Sequence, residues 1–195
     1  VYGASEALFD ISGATRVASW PYAISRAGTL AFVPRSEVQS TARSEFGWLD
    51  RTGRFEPVPL PSGKPIQGPR LSADDGALLF SRDRIENAIV DLWLYDLERR
   101  RPERISFDDL YEFFPTFSAD GEAVIYARGE ASGEARWELH VRSADGTGVP
   151  RRLTEGGGAL EVAVSPDGRS VVFESCPGDI DDCDLASVPF DGSRP

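Results

Sequence analysis

One pattern recurs four times along this chain, and it limits the fold more than any other feature. The segments are PYAISRAGTLAFVP (21–34), PRLSADDGALLFSR (69–82), PTFSADGEAVIYAR (115–128) and VAVSPDGRSVVFES (162–175). Each reads as an apolar strand, a polar turn with glycine, and a second apolar strand. The turn glycines Gly28, Gly76, Gly121 and Gly168 lie 48, 45 and 47 residues apart. The aromatics Phe32, Phe80, Tyr126 and Phe173 are spaced 48, 46 and 47. Two independent landmarks keep one period, so the repeat is architectural.

The turns have a physical logic. Glycine takes the positive φ of a tight hairpin, while Asp or Ser bonds the turn backbone. The second copy places both Asp74 and Asp75 before Gly76, which reads as one extra turn residue, and the first has Ala27 where the others have Asp. The flanks favour Val, Ile, Phe and Leu over short stretches, which is strand chemistry. A third strand follows each copy: FGWLDRTG, DLWLYDLE, WELHVRSADG and DLASVPFDG. A more polar fourth follows in three cases, RFEPVPLP, RPERISF and PRRLTEG. Their Pro and Arg residues suit an outer edge, where a missing N–H or a charge discourages pairing with other chains.

Four short strands per period near 46 predict an all-β chain, a β-propeller of four-stranded antiparallel blades. ALFDIS near the start reads as a third strand and RVAS as a weak fourth, while the last unit stops after its third strand. The expected division is the end of a preceding blade at 1–18, blades at 19–66, 67–111 and 112–159, and an incomplete blade at 160–195. About four blades are therefore present, as an open arc of a larger ring. The chain contains no Met and begins at Val1, which fits a processed end or an excerpt.

Composition narrows the partners. Asp and Glu number 32 against 21 Lys and Arg, a net charge of −11. Binding to a phosphate backbone has little electrostatic support in such a chain, so no nucleic-acid partner is expected. No apolar run approaches the roughly 20 residues of a membrane span, and the first residues lack the pattern of a signal peptide.

The series SADGEAVIYAR, WELHVRSADGTGVPRRLT and SPDGRSVVFES resembles the TolB-like class of WD-repeat-like propellers, over about residues 19–192. Within that class, GTLAFVP, GWLDRTGRFEPVPLP and PRLSADDGALLFSR resemble the propeller appended to bacterial serine/threonine protein kinases. This resemblance implies a six-bladed ring used for sensing or docking. No Gly-rich phosphate loop, H-R-D loop or D-F-G is present, so no kinase chemistry is expected of this segment. The same blades occur in TolB, which binds protein partners in the periplasm, and ahead of prolyl-oligopeptidase-type hydrolases.

In a propeller, the turns after the first and third strands share one face. Here they are short and uniform. The loops after the second strand and the connectors between blades share the other face, and they vary, which is where function concentrates. The connector SFDDLYEFF (106–114) is one candidate: Asp108, Asp109, Tyr111 and Glu112 would grip a basic or sugar-like ligand. The structural alternative is that Phe107, Tyr111, Phe113 and Phe114 simply fill the junction between blades. CPGDIDDCD (176–184) is a second. Cys176 and Cys183 either close a small disulfide loop, which implies an oxidising compartment, or are two unrelated thiols. Asp179, Asp181, Asp182 and Asp184 are calcium candidates without EF-hand spacing, or a solvated acidic loop.

The catalytic inventory is thin. His140, the one histidine, lies on a third strand, and there is no G-x-S-x-G nucleophile. Arg99 to Arg101 read as a solvated turn. Carboxylates are plentiful, but no spacing singles out a pair. The leading expectation is a non-catalytic binding or sensor module without a cofactor. It would bind a protein or peptide partner, or a small ligand, on the extracytoplasmic or periplasmic side of a bacterial cell. The alternatives are the substrate-gating propeller of a prolyl-oligopeptidase-type hydrolase, a TolB-like periplasmic scaffold, and a lyase or glycosidase whose inward carboxylates converge with His140.

Overall fold

The computed structural model describes residues 22–24, 30–32, 46–50, 52–60, 66–84, 87, 89–130, 137–178 and 182–193. Among them every regular element is a β-strand, and no helix is long and apolar enough to cross a membrane. The expected strands in ALFDIS and RVAS lie outside the described residues.

The strands form four sheets, each an antiparallel meander in chain order. The first holds β1 (Tyr22–Ile24), β2 (Leu30–Phe32), β3 (Phe46–Leu49) and β4 (Phe55–Val58). The second holds β5 (Ile66–Leu71), β6 (Ala77–Asp83), β7 (Val90–Asp96) and β8 (Arg101–Arg104). The third holds β9 (Tyr111–Phe117), β10 (Ala123–Gly129), β11 (Glu138–Ser143) and β12 (Arg151–Arg152). The fourth has three strands, β13 (Ala159–Val164), β14 (Ser170–Ser175) and β15 (Asp184–Pro189).

The sheets pack face to face, which explains why the second strand of each unit is apolar throughout rather than alternating. Side chains on a strand point alternately to the two faces. Leu78 and Phe80 pack toward the first sheet with Val58, Trp48 and Tyr95. Leu79, between them, packs toward the third with Leu92, Ile105, Val124 and Tyr126. On β10 the pattern repeats: Ile125 and Ala127 turn to the fourth sheet, beside Leu139, Val162, Val171 and Phe173. Each fully buried large side chain of this kind contributes about 1.5–3 kcal/mol.

The S-x-D-G turns are built alike. Ser72 Oγ donates to Asp74 Oδ1 at 2.6 Å and accepts the Ala77 amide at 2.9 Å, while Asp74 Oδ1 accepts the Gly76 amide at 3.0 Å. Ser118 with Asp120 and Ser165 with Asp167 repeat this arrangement. The second copy is not a residue longer than the others. Asp75 stands at the position of Gly121 and Gly168 and takes the left-handed conformation itself, with φ of 59° against 77° and 71°. Asp tolerates that region better than most side chains, so the turn keeps its length and Gly76 falls one place later. The corresponding turn of the first copy lies outside the described residues.

The first strand of each later sheet carries an irregularity. The pairing register shifts between Gln67 and Arg70 on β5, opposite Ile125 to Ala127 on β9, and between Ala159 and Val162 on β13. Gly68 and Phe114 have positive φ there, 56° and 53°. Bulges of this kind bend a strand and raise its local twist.

Candidate functional site

The antiparallel order brings the end of β6, the start of β7, the connector 105–110, the start of β9 and the end of β10 to one end of the second and third sheets. A single arginine organises the junction. Arg84 Nε donates to Asp91 Oδ2 and Nη2 to Asp91 Oδ1, both at 2.8 Å. Nη1 donates to Asp109 Oδ1 at 3.1 Å, and Nη2 also reaches the carbonyl of Asp108. The Asp91 side chain is fully enclosed. Asp91 and then Asp109 push the Arg84 guanidinium well above the usual arginine value, so it is permanently charged.

A second arginine closes Asp91 from the other side. Arg104 Nη1 is 3.4 Å from Asp91 Oδ2 and its Nε donates to the Ser106 carbonyl at 2.8 Å. The same guanidinium lies over the Phe107 ring, 4.5 Å from its centroid. Inside the connector, Ser106 Oγ accepts the Leu92 amide at 2.9 Å and the Ile105 amide donates to the Leu92 carbonyl at 3.0 Å. Arg128 at the end of β10 fixes the far side, with Nη2 donating to Asp108 Oδ2 at 2.8 Å.

Behind this junction lies a buried polar layer. Register pairs Glu112 with Arg128, Tyr126 with His140 and Val124 with Arg142, so the polar members share the sheet face turned toward the second sheet. Glu112 is fully enclosed and its Oε1 is 3.9 Å from Arg128 Nε. Neither of its carboxylate oxygens makes a hydrogen bond of good geometry. Burial, reinforced by Asp108, pushes its carboxyl up to about 7, against the Ser106 hydroxyl and the charges of Arg128 and Arg142. Burial also raises the Tyr126 phenol and lowers the His140 imidazole, so both are neutral near pH 7.

The connector residues singled out from sequence do not form one exposed surface. Asp109 is open to solvent and Asp108 is partly covered. Tyr111 stacks on Phe113 at 6.1 Å, and Glu112 faces inward. Phe113 meets Trp137 edge-on at 5.3 Å and Phe114 at 5.9 Å, so these aromatics fill the junction. Phe107 does not: it is 65% exposed. Cys176 and Cys183 are joined by a disulfide. Asp182 and Asp184 are exposed, Asp179 and Asp181 lie outside the described residues, and no group of three or more potential metal ligands occurs among the described residues. His140 sits in the seam between sheets, with Nε2 3.8 Å from Glu138 Oε2. Arg99 pairs with Asp96 at 2.7 Å on its exposed turn.

Arg84, Asp91, Arg104 and Arg128 were not singled out from sequence. A signal was there: an acid precedes leucine at the start of three third strands, in Asp91-Leu92, Glu138-Leu139 and Asp184-Leu185. A charge that opens an apolar strand needs a partner when buried.

No protein-family model matches the chain, and no curated protein matches it by sequence. Solved structures do. TolB from Acinetobacter baumannii is 20% identical with a TM-score of 0.70, over 89% of this chain and 41% of that one. A putative TolB from Agrobacterium tumefaciens is 20% identical with a TM-score of 0.75, over 89% of this chain and 62% of that one. A chain of a nidogen/laminin complex is 17% identical with a TM-score of 0.63, over 86% of this chain and 60% of that one. The chain thus has the fold of TolB-like β-propellers, and it spans about two fifths to three fifths of these three chains.

Proposed function

We propose that this chain is a non-catalytic propeller module that binds a protein or peptide partner through the face carrying the connector 105–110. The observation that carries the reading is the way the connector is held. Arg84, Arg104 and Arg128 fix its backbone and inner side chains, while Phe107 and Asp109 are left facing solvent. An aromatic and an acid displayed on a rigid loop suit recognition of a peptide with a basic and an apolar element. The buried acids and His140 are spent on the seam rather than gathered round an open pocket, which favours binding over turnover. TolB-like folds and the nidogen/laminin propeller support the same reading by analogy of fold.

The reading includes an open arc of a larger, six-bladed ring, divided at 1–18, 19–66, 67–111, 112–159 and 160–195. The Cys176–Cys183 disulfide supports an oxidising, extracytoplasmic location. The kinase-appended resemblance rests on the sequence motifs alone. The test is affinity capture from the extracytoplasmic fraction with the full chain, comparing Phe107→Ala and Asp109→Lys with Glu122→Lys on the opposite face. Loss of a captured partner only in the first two supports the proposal. A partner retained equally by all three, or turnover of a small substrate by the chain, overturns it.

A further inference from the structure

Five polar side chains of the third sheet, Glu112, Tyr126, Arg128, His140 and Arg142, share the seam with the second sheet. Glu112 and Tyr126 are 0% exposed, Arg142 7% and His140 8%. Six of their atoms make no hydrogen bond of good geometry: both Glu112 carboxylate oxygens, near which the Ser106 hydroxyl lies, the Tyr126 hydroxyl, His140 Nδ1, and Nε of Arg128 and Arg142. Buried polar groups are nearly always paired, and a concentration of exceptions calls for a reason. The reason is sought in Arg128, because it serves two carboxylates. Its Nη2 bonds Asp108 at 2.8 Å and its Nε stands 3.9 Å from Glu112.

We infer that Glu112 is a proton-operated catch on the 105–110 connector. With Glu112 neutral, Arg128 is committed to Asp108 and the connector is latched. When Glu112 loses its proton to solvent water by way of the partly open Arg128 side, a second anion stands beside Arg128, and because Glu112 itself is enclosed the charge interaction is strong. Arg128 then turns toward Glu112, Asp108 is released, and the connector keeps only its ties to Arg84 and Arg104 and those of Ile105 and Ser106 to Leu92. Burial sets this event near neutral pH, at about 7.

Two arginines and one carboxylate act on Glu112, and of the arginines Arg128 is the one bonded to the connector. Arg128 and Arg142 favour its ionised form, while Asp108 opposes it. Tyr126 and His140 are neutral neighbours on the same face. On the other elements packed against β9, Arg70 of β5 pairs with Glu161 of β13 at 3.8 Å. Asp91 of β7 is closed by Arg84 and Arg104. Arg82 and Asp83 of β6 are each engaged in an interaction as well. The catch works whatever the face binds.

The experiment is amide hydrogen exchange of residues 105–110 in the full chain from pH 5.5 to 8.5, normalised for the intrinsic pH dependence of exchange. A carboxylate infrared titration, wild type minus Glu112→Gln, follows the proton directly. Normalised exchange of the connector is expected to rise about fivefold or more across a midpoint near 7. Glu112→Gln should hold it at the low-pH level throughout, and His140→Asn should leave the midpoint in place. Asp108→Asn, which removes the latch and with it the charge that opposes Glu112 ionisation, should loosen the connector at every pH. Connector exchange independent of pH in the wild type, an equal pH response in Glu112→Gln, or an infrared midpoint near the ordinary glutamate value would each overturn the inference.

Discussion

Leu139 and Leu185 hold the same place in successive repeats, second in the third strand after an acid, yet Leu139 is fully buried and Leu185 is 79% exposed. The difference lies in what each faces. Leu139 is covered by the fourth sheet, while among the described residues no sheet covers the corresponding face of the fourth. Val172 on β14 tells the same story, 37% exposed where its counterparts Leu79 and Ile125 are fully buried.

Truncating these two leucines should therefore give unequal results. Leu139→Ala is expected to cost about 2–5 kcal/mol, the lost transfer energy plus the cavity. Leu185→Ala should stay within about 0.5 kcal/mol. Urea melts of the two variants make the comparison. Equal losses would mean that something seats on the outer face of the fourth sheet.

How far the residues alone reach is clear from the same repeat. The period, the four strands and the S-x-D-G turns were legible because they are local: alternation, β-branched content and a turn acid bonding its own backbone. Asp75 was misread because a spacing count assigns positive φ to glycine, whereas position in the hydrogen-bonded turn decides it. The polar seam was out of reach for another reason. Arg84 meets Asp109 across 25 residues and Arg128 meets Asp108 across 20, and nothing local encodes which acid each arginine chooses. Phe107 went the same way: its neighbours in FDDLYEFF fill the junction, and only the path of the connector turns it out to solvent.

Asp91 is expected to be the costliest acid on the junction to neutralise. It is enclosed and gripped by two guanidinium groups, so Asp91→Asn leaves two cations facing each other with no anion between them. Loss of one partner of such a pair costs about 3–5 kcal/mol. Asp109→Asn removes a contact to the same Arg84, but from a 90% exposed side chain, and should cost below about 1 kcal/mol. Thermal melts of both variants at neutral pH check the ranking; an equal effect would show that Arg84 is not committed to Asp91.

Reducing the Cys176–Cys183 bond should loosen the fourth sheet before the rest. The bridge closes a short loop of sequence separation 7, for which chain entropy gives about 2 kcal/mol, or roughly 4–8 °C in a protein of this size. The chain beside it has little room to adapt: Gly158 has φ of 94° and lies against the Cys176 carbonyl, whose residue returns its amide to Gly158 at 2.8 Å. Melting with and without dithiothreitol, beside a Cys176→Ser/Cys183→Ser variant, measures the effect. The variant should match the reduced wild type; an unchanged midpoint would mean that β14 and β15 hold the loop without the bond.

The pH dependence of stability offers a separate reading of Glu112, with a definite sign. Its carboxyl ionises at the ordinary 4.5 when unfolded and at about 7 when folded. Below 4.5 both states hold the proton and the group favours neither. Between the two values the folded chain holds a proton that the unfolded chain has released, so stability falls as pH rises and reaches its full loss above the folded value. The gap corresponds to roughly 3 kcal/mol. Glu112→Gln carries no titrating group there, so the variant should match the wild type near pH 4.5 and exceed it by up to that amount near pH 8. Denaturant melts of both proteins from pH 4.5 to 8.5 isolate the term by difference, because every other titrating group is common to the pair. A difference that does not vary with pH would mean that Arg128 and Arg142 stabilise the ionised carboxylate enough to cancel its burial.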